Sequence, residues 1–576
     1  MNRIIKSHLQ SFQAANGLED LDPQSSFEHF VNYCVGYRHT GAPFDTQAVT
    51  TDDPDAGIDG VICLVDNEIV MTADECEEIF KRSKRNVDAK IIFTQATTAE
   101  GFEKAKLTTF NSGVYDFLQD EPAQPHGSVL KEYHELFDVI VKNANKVING
   151  KPECELCYAA TGRFNQEVEI VAASKAGQHQ LGTLNLFSKV SVQFLDADAL
   201  LRLWLECSQT IKASVDVVGS IPLAKTEKVP EAYLALVGAK AFVEKLLLNE
   251  EGDLRVWVFN ENVRAFLGED SQVNADIQKT IKSIDARARF ALLNNGVTIV
   301  SPDIRVQGGT INLNGFQIVN GCQTSNVLFA NRKILSDDTT IAVKFIEAED
   351  PDVVAEIVRA TNKQAKVEDE QFFALEPLVK RIEEFFKSYT QDEQKVYLER
   401  RFRQYVGAGV PQLRIFDIKN ACRAVSAMFF NRPDLAMRYP NQMFDELKDQ
   451  LFDEKIKEIV YYTACLGLYR VSLMISSGKL PSNFRRLKWH LLLASRVAVA
   501  GKKLPNLASG GIAKYCESLI KVYSNPNPMA VSGFAHAVEY IKSISDEHRN
   551  KLTTKMFVIN MQEEVSKKEE AAKKKE

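Results

Sequence analysis

Two short stretches carry residue types that could do chemistry. In AKIIFTQATT (89–98), the apolar run Ile91-Ile92-Phe93 gives way to Thr94-Gln95-Ala96-Thr97-Thr98. A strand that turns polar at its tip presents side chains to a site rather than to the core. About thirty-six residues upstream, Gly57-Ile58-Asp59-Gly60 sets a Gly-flanked aspartate at the start of another apolar run. An aspartate on one strand and a Gln-x-x on the next suit metal-dependent cleavage of a phosphodiester. The lysine such sites carry is missing, because Thr97 stands at its position. Residues 95 and 97 share a strand face, whereas Lys90 points to the other one. Asp88-Ala89-Lys90 has the DxK form but lies before the apolar run.

A second set of candidates is built of amides. Asn294-Asn295-Gly296, Asn320-Gly321 with Gln323, Thr324 and Ser325, and Thr361-Asn362-Lys363-Gln364 each interrupt an apolar element. In the middle cluster a strand meets a Gly-containing turn, and Thr324 and Ser325 open a helix. Such an N-terminus offers free N–H groups and a positive dipole end to an anion. Amides in place of charges suit hydrogen-bond recognition of a base, sugar or backbone, or a structural polar network. Taken singly, each cluster is accounted for by turns and caps. Taken together, Asn295, Asn320, Gln323, Asn362 and Gln364 are expected to converge on one pocket.

Two basic stretches, KRSKRN (81–86) and FRRLKWH (484–490), could meet nucleic acid by charge and stacking. A solvated helix end and an amphipathic core helix are the plainer accounts. Walker-type loops, HExxH and GxSxG are absent, so ATPase, metalloprotease and esterase chemistry lack a basis.

The elements that must position these residues are mixed. The first ~125 residues alternate strand and helix patterns, with a helix in SSFEHFVNYCVGYR capped by Ser25 or Ser26. GIDGVICLVDNEIV and AKIIFTQ read as strands around the amphipathic helix ADECEEIFKRSKR. From about 129 to 400 the candidate strands include CELCYAAT, VEIVAAS, VSVQFLD, ASVDVVG, LRVWVFN and TIAVKFIEA. Beyond about 410 long helical patterns dominate, and the end is a Lys/Glu/Ala tail. The fold class expected is α/β (mixed α+β), divided as 1–125, 126–400, an all-α region 401–558 and a charged tail 559–576. At 576 residues, three or four domains of ~150 residues are expected.

Hydrophobic residues make up 45% and charged residues 26%, with a net charge of -7. Any nucleic-acid binding must therefore come from local basic patches. Ten cysteines without CxxC or zinc-type spacing read as reduced thiols. No apolar run approaches the length of a membrane span, and no signal-type start is present, so the expectation is a cytoplasmic protein with no membrane partner.

The ordered series FNENVRAFLG (259–268), VNADIQKTI (273–281), LLNNGVTIV, QIVNGCQTSNVL, AVKFIEAED, ATNKQAKVEDEQFFAL and VYLERRFRQY (396–405) resembles the AIPR family of bacterial abortive-infection phage-resistance proteins. It covers about 250 to 410 strongly and the N-terminal block more loosely. The resemblance gives Arg401, in the alternating Arg400, Arg401 and Arg403, a ligand-facing role, and assigns Asn295, Asn320, Gln323, Thr324, Asn362 and Gln364 to nucleic-acid or ligand binding.

Many members of that family look as though they begin with a PD-(D/E)xK-type, restriction-endonuclease-like α/β domain. The matching positions here are Glu28, Asp59 and Gln95. By this resemblance Glu28 and Asp59 hold Mg²⁺ (or Mn²⁺), which takes hard oxygen ligands. The missing lysine could be supplied by Lys104 or Lys106 from the following helix, with Lys104 the choice for the catalytic set. The resulting expectation is a bacterial antiphage protein, a metal-dependent nuclease acting on DNA or RNA, as a homo-oligomer or with a partner defence protein. The rival readings are a catalytically silent nucleic-acid- or protein-binding protein, and a nucleotide sensor near Thr324.

Overall fold

A computed structural model describes residues 1–83, 86–249, 252–260, 272–361 and 376–543. The chain is mixed α/β, with sheets in its N-terminal and central regions and helices toward its C-terminus.

The first sheet has the order β2-β1-β3-β4-β5, with β1 at Gly60–Val65, β2 at Glu68–Val70, β3 at Ala89–Thr97, β4 at Glu153–Ala160 and β5 at Lys189–Leu195. β2, β1 and β3 pair antiparallel, and β3, β4 and β5 run parallel. The helices α1 (Arg3–Asn16), α2 (Pro23–Thr40), α3 (Ala73–Arg82), α4 (Lys104–Phe117), α5 (Ser128–Lys142), α6 (Val168–Thr183) and α7 (Ala197–Ser208) surround it. Nearly every residue of β1 and β3 is buried, as expected of strands covered on both faces.

One apolar core runs from Ile5 to Cys207, so the boundary expected near residue 125 falls inside this unit. The reason is that β3 leaves an open edge, and β4 closes it across eight register partners. The Pro/Gly stretch 120–128 is a loop tied to the same unit. Asp52 accepts hydrogen bonds from the Ser128 N–H (3.1 Å) and hydroxyl (2.7 Å) and from the Val129 N–H (2.9 Å).

Other sequence expectations need correction. VEIVAAS, expected as a strand, starts α6, where Ile170, Ser174, Gly177 and Leu181 are buried at helical spacing. Burial of one face overrides the β-branched propensity there. LRVWVFN is a 3-10 turn over Val256–Phe259. The cap of α2 is Asp22, whose carboxylate accepts from the Gln24 and Ser25 N–H groups, with Pro23 preset for the first helical position.

The second sheet has the order β11-β8-β12-β7-β6-β10-β9. Its strands are β6 (Lys212–Pro222), β7 (Ala232–Gly238), β8 (Val297–Ser301), β9 (Ile304–Gln307), β10 (Thr310–Asn314), β11 (Gln317–Asn320) and β12 (Thr340–Glu347). β8 and β12 pair in parallel and the rest antiparallel. Beyond the short parallel pair β13 (Tyr397–Glu399) and β14 (Ile415–Asp417), a helical body holds its own core from Leu378 to Ile541. Helix Glu458–Ser476 has the length and apolar content of a membrane span, but 83% of that window is buried against its neighbours. That burial is what a core helix of a bundle shows.

Candidate active site

Helix α2 carries Gln24, Glu28 and Asn32 at i, i+4 and i+8, which stack on one face. That face meets the tips of β1 and β3. Asn32 donates from Nδ2 to the Thr50 hydroxyl (3.0 Å) and to the Asp59 carbonyl (3.1 Å), and accepts from the Thr94 hydroxyl. Gly60 follows from this contact: a Cβ there would lie 2.3 Å from the Asn32 Oδ1. His29, buried beside Asn32, bonds the hydroxyls of Thr46 and Thr50 through Nδ1. Burial lowers its pKa to about 4, so it sits there as a neutral ring.

Asp59 is held by both strands. Its N–H donates to the Thr94 carbonyl at 2.9 Å. Its Oδ2 accepts from the Gln95 Nε2 at 2.5 Å and from the Ala96 N–H at 2.6 Å. Ala96 then serves Glu28 from its other side. Gln24 Nε2 donates to the Ala96 carbonyl (2.8 Å) and to the Glu28 Oε1 (2.9 Å), while the Gln24 Oε1 accepts from the Thr98 N–H (3.1 Å). One peptide position and one glutamine thus join the two carboxylates.

Burial pushes Glu28 up to about 7, with Asp55, Asp22 and Asp53 adding to the shift and the Gln24 hydrogen bond opposing it. Burial also raises Asp59 well above the usual carboxylate range; the Glu28 charge adds to this, and the Ala96 N–H and Lys106 oppose it. Both carboxyls are thus shifted the same way, chiefly by desolvation. Among the described residues no group of three His, Cys, Asp or Glu side chains converges. The donor set is two carboxylates with amides around them. Gln95 spends its N–H on Asp59, which leaves its amide oxygen for another partner. Mg²⁺ is commonly held by one or two carboxylates and several waters.

The lysine nearest this site is Lys106, whose Nζ donates to the Thr97 hydroxyl at 2.9 Å. Lys104 turns away toward Glu169, 3.9 Å off, on α6. Lys90 lies at the far end of β3, against Glu153 and Glu155. Gln95 and Thr97 share the face that meets Asp59 and Lys106.

In the second sheet, the loops at the ends of β8 and β11 come together. Gly321 (φ +96°) packs so closely on the turn before β8 that a Cβ would lie 2.8 Å from Val297 and 3.0 Å from the Gly296 carbonyl. Asn320 Nδ2 donates to the Thr361 carbonyl at 2.6 Å, at the end of helix Pro351–Thr361. Asn295 is exposed beside this junction. Gln323 and Thr324 are buried in the first turn of helix Cys322–Ala330, which has no side-chain cap. Asn362 and Gln364 lie outside the described residues.

The family model described as AIPR protein matches residues 259–562, more than half of the chain. The chain belongs to the AIPR family. Membership is consistent with antiphage, abortive-infection defence. No curated protein and no solved structure matches the chain. The AIPR match takes in the β8–β11 junction and the helical body, whereas Glu28, Asp59, Gln95 and Lys106 precede it.

Within the AIPR segment the arginines of LERRFRQY make joints. Arg400 pairs with Asp352 and, at 3.1 Å, with Glu383. Arg403 donates to the carbonyls of Glu206 (3.0 Å) and Gln209 (2.6 Å), tying the AIPR segment to α7. Arg401 is half-buried between them, and its backbone N–H donates to Gln404 at 3.2 Å. FRRLKWH is also a joint. Arg485 and Arg486 pair with Glu132, and Lys488 pairs with Asp45 at 2.9 Å. Arg82, from KRSKRN, pairs with Asp445.

Sequence reading missed Gln24 and Asn32. The available signal was their i, i+4, i+8 spacing with Glu28, three polar residues on one face of an otherwise apolar helix.

Proposed function

We propose that this AIPR protein acts in antiphage defence as a metal-dependent nuclease, with its reaction centre in the first unit. The observation that carries this reading is the Ala96 junction, where the N–H of one residue bonds Asp59 and its carbonyl bonds Gln24, which in turn bonds Glu28. Glu28 and Asp59, with the Gln95 amide oxygen, would hold Mg²⁺ or Mn²⁺. Such an ion supplies an acidified water and neutralises charge on the phosphoryl group.

The protein's own residues do the rest. Gln95 and the Ala96 N–H hold the Asp59 carboxylate in one orientation, so no rotamer search precedes ligand binding. Gln24 does the same for Glu28. Lys106, anchored at Thr97, brings a cation to the site that position 97 itself does not carry, where it can stabilise developing negative charge. Thr97 contributes a hydroxyl that orients either that ammonium or a water. The substrate is DNA or RNA, because phosphodiester cleavage is the reaction such a group performs.

A silent binding protein is the second reading, favoured by the fact that Asp59 already has two donors on one oxygen. The test is cleavage of single- and double-stranded DNA and RNA with and without Mg²⁺ or Mn²⁺, comparing wild type with Asp59→Ala. Metal-dependent cleavage lost in the variant supports the nuclease. No cleavage by wild type, together with unchanged phage resistance in Asp59→Ala, overturns it in favour of the binding reading.

A further inference from the structure

The FRRLKWH stretch, inside the AIPR match, opens helix Phe484–Ala500, and its cations reach back into the first unit. Lys488 donates from Nζ to the Asp45 carboxylate at 2.9 Å, and Arg485 donates to the Gln47 carbonyl at 2.8 Å. Both acceptors belong to one short stretch, where Asp45 caps the 3-10 turn Thr46–Ala48 by accepting from the Gln47 N–H at 3.1 Å. The side chains of Lys488 and Asp45 are 18% and 35% exposed, so salt screens this pair less than one in open solvent.

The same stretch runs along the acid site. Thr46 and Thr50 hold the ring of His29, the residue after Glu28. Thr50 also accepts from Asn32, which bonds the Asp59 carbonyl. The Thr51 N–H donates to that carbonyl at 3.3 Å, and the Val61 N–H donates to the Val49 carbonyl at 2.9 Å. Residues 49–51 therefore lie beside the start of β1, with Thr50 bridged to Gly60. Asp52 then anchors the start of α5, and Glu132 on that helix takes Arg485 and Arg486. The FRRLKWH helix thus grips residues 45–52 at both ends, directly at Asp45 and through α5 at Asp52.

We infer that Lys488 and Arg485 are positioning residues for the acid site, fixing through residues 45–51 the placement of Asp59 and of the helix face that carries Glu28. The inference rests on the reading above, in which those two carboxyls form the reaction centre. A carboxyl at a strand start and one on a helix keep a single separation only if strand and helix are tied together. Asn32, His29, Thr46 and Thr50 are that tie, and the FRRLKWH cations hold its outer side. A misplacement of about 1 Å among reacting groups costs on the order of 10²-fold in rate, so a grip at this distance matters to the chemistry.

The test is hydrogen–deuterium exchange of the full chain, read by mass spectrometry, which needs neither metal nor substrate. Lys488→Met speeds exchange about tenfold in peptides covering 57–62 and 94–98, the size of one lost charge-assisted hydrogen bond, and leaves peptides from β4 and β5 unchanged. Lys488→Arg restores the slow exchange. Asp45→Asn combined with Lys488→Met leaves no unpaired charge behind, and it carries the test if Lys488→Met alone does not fold. Arg82→Met with Tyr439→Phe cuts contacts between the same two bodies at Asp445 and Asp74, away from residues 45–51, and exchanges as wild type does in both windows. The inference is overturned if the folded Lys488 variants exchange as wild type does there, if exchange rises equally in β4 and β5, or if the Arg82 and Tyr439 variant reproduces the effect.

Cleavage assays on the same proteins keep this apart from the nuclease reading. Lys488→Met lowers kcat and leaves KM for nucleic acid unchanged, the mark of a group that orients rather than binds. A wild type that cleaves nothing removes the nuclease reading, and the exchange pattern still decides the positioning role. A cleaving wild type whose Lys488→Met variant matches it in exchange and kcat keeps the nuclease and removes the role of Lys488.

Discussion

Lys106 donates its ammonium to the Thr97 hydroxyl at 2.9 Å, so a helix supplies beside the tip of β3 a cation that the tip itself lacks. The neighbouring Lys104 makes its contact with Glu169 instead. The two lysines are two residues apart on α4 and face different ways, which is what a 100° turn per residue requires.

This relationship separates the two lysines in an assay. Lys106→Ala is expected to lose ~10²–10³ in cleavage rate, the usual cost of removing one preorganised charge-stabilising group. Lys104→Ala should cleave as wild type does. Thr97→Lys in the Lys106→Ala background should restore part of the rate. Equal rates for Lys106→Ala and wild type would remove Lys106 from the reaction.

Stability should depend on pH through Glu28. In the unfolded chain it titrates near 4.5, and in the folded protein near 7. Between those values the folded state binds more protons, so stability falls as pH rises through the window. Asp59 is shifted in the same direction and adds to the slope. The expected outcome is a Tm that declines from pH 5 to pH 7.5, with a shallower decline in Glu28→Gln. Mg²⁺ should raise Tm more at pH 7.5 than at pH 5, since protonated carboxyls do not bind it. A flat Tm profile for wild type would contradict the assigned shift.

The contact between Asn32 and Gly60 can be broken by one methyl group. Gly60→Ala places a Cβ 2.3 Å from the Asn32 Oδ1 and should cost about 1–3 kcal/mol by overpacking. Adding Asn32→Ala relieves the clash, so the double variant should be destabilised by less than the sum of the two single ones. Urea unfolding followed by circular dichroism measures all three, and strict additivity would show that the two residues do not touch.

Asn320→Ala removes the 2.6 Å hydrogen bond to the Thr361 carbonyl. A turn-forming role predicts a loss of roughly 1 kcal/mol and intact phage resistance. Loss of resistance in a variant that keeps its Tm would instead mark this junction as part of the protein's working surface.

How much of this was legible in sequence differs from residue to residue. The strand around Phe93 followed from a short apolar run, the placement of Gln95 and Thr97 on one face from the two-residue period of any strand, and a helix was expected after them. The α6 segment was misread because Val168, Ile170 and Val171 favour strands locally. The burial of Gly177 against Asn111 that holds the helix there is a contact across the fold. The unit limit at residue 125 was misplaced for the same reason. A Pro/Gly loop marks a turn, but whether the next strand joins the old sheet or starts a new one depends on which edge is open.

The sequence by itself determined the mixed α/β character, the helical C-terminal region, and the residue types able to hold a cation or bind through amides. These depend on local periodicity and side-chain chemistry, which are written along the chain. Only the tertiary structure decided that Gln24 bridges Glu28 to Ala96, that Lys106 rather than Lys104 faces Thr97, and that FRRLKWH is turned inward against Glu132 and Asp45. Each of these is a hydrogen bond or ion pair closed by packing. The choice among equivalent lysines, or between solvent and a buried carboxylate, follows from which surfaces the apolar cores bring together.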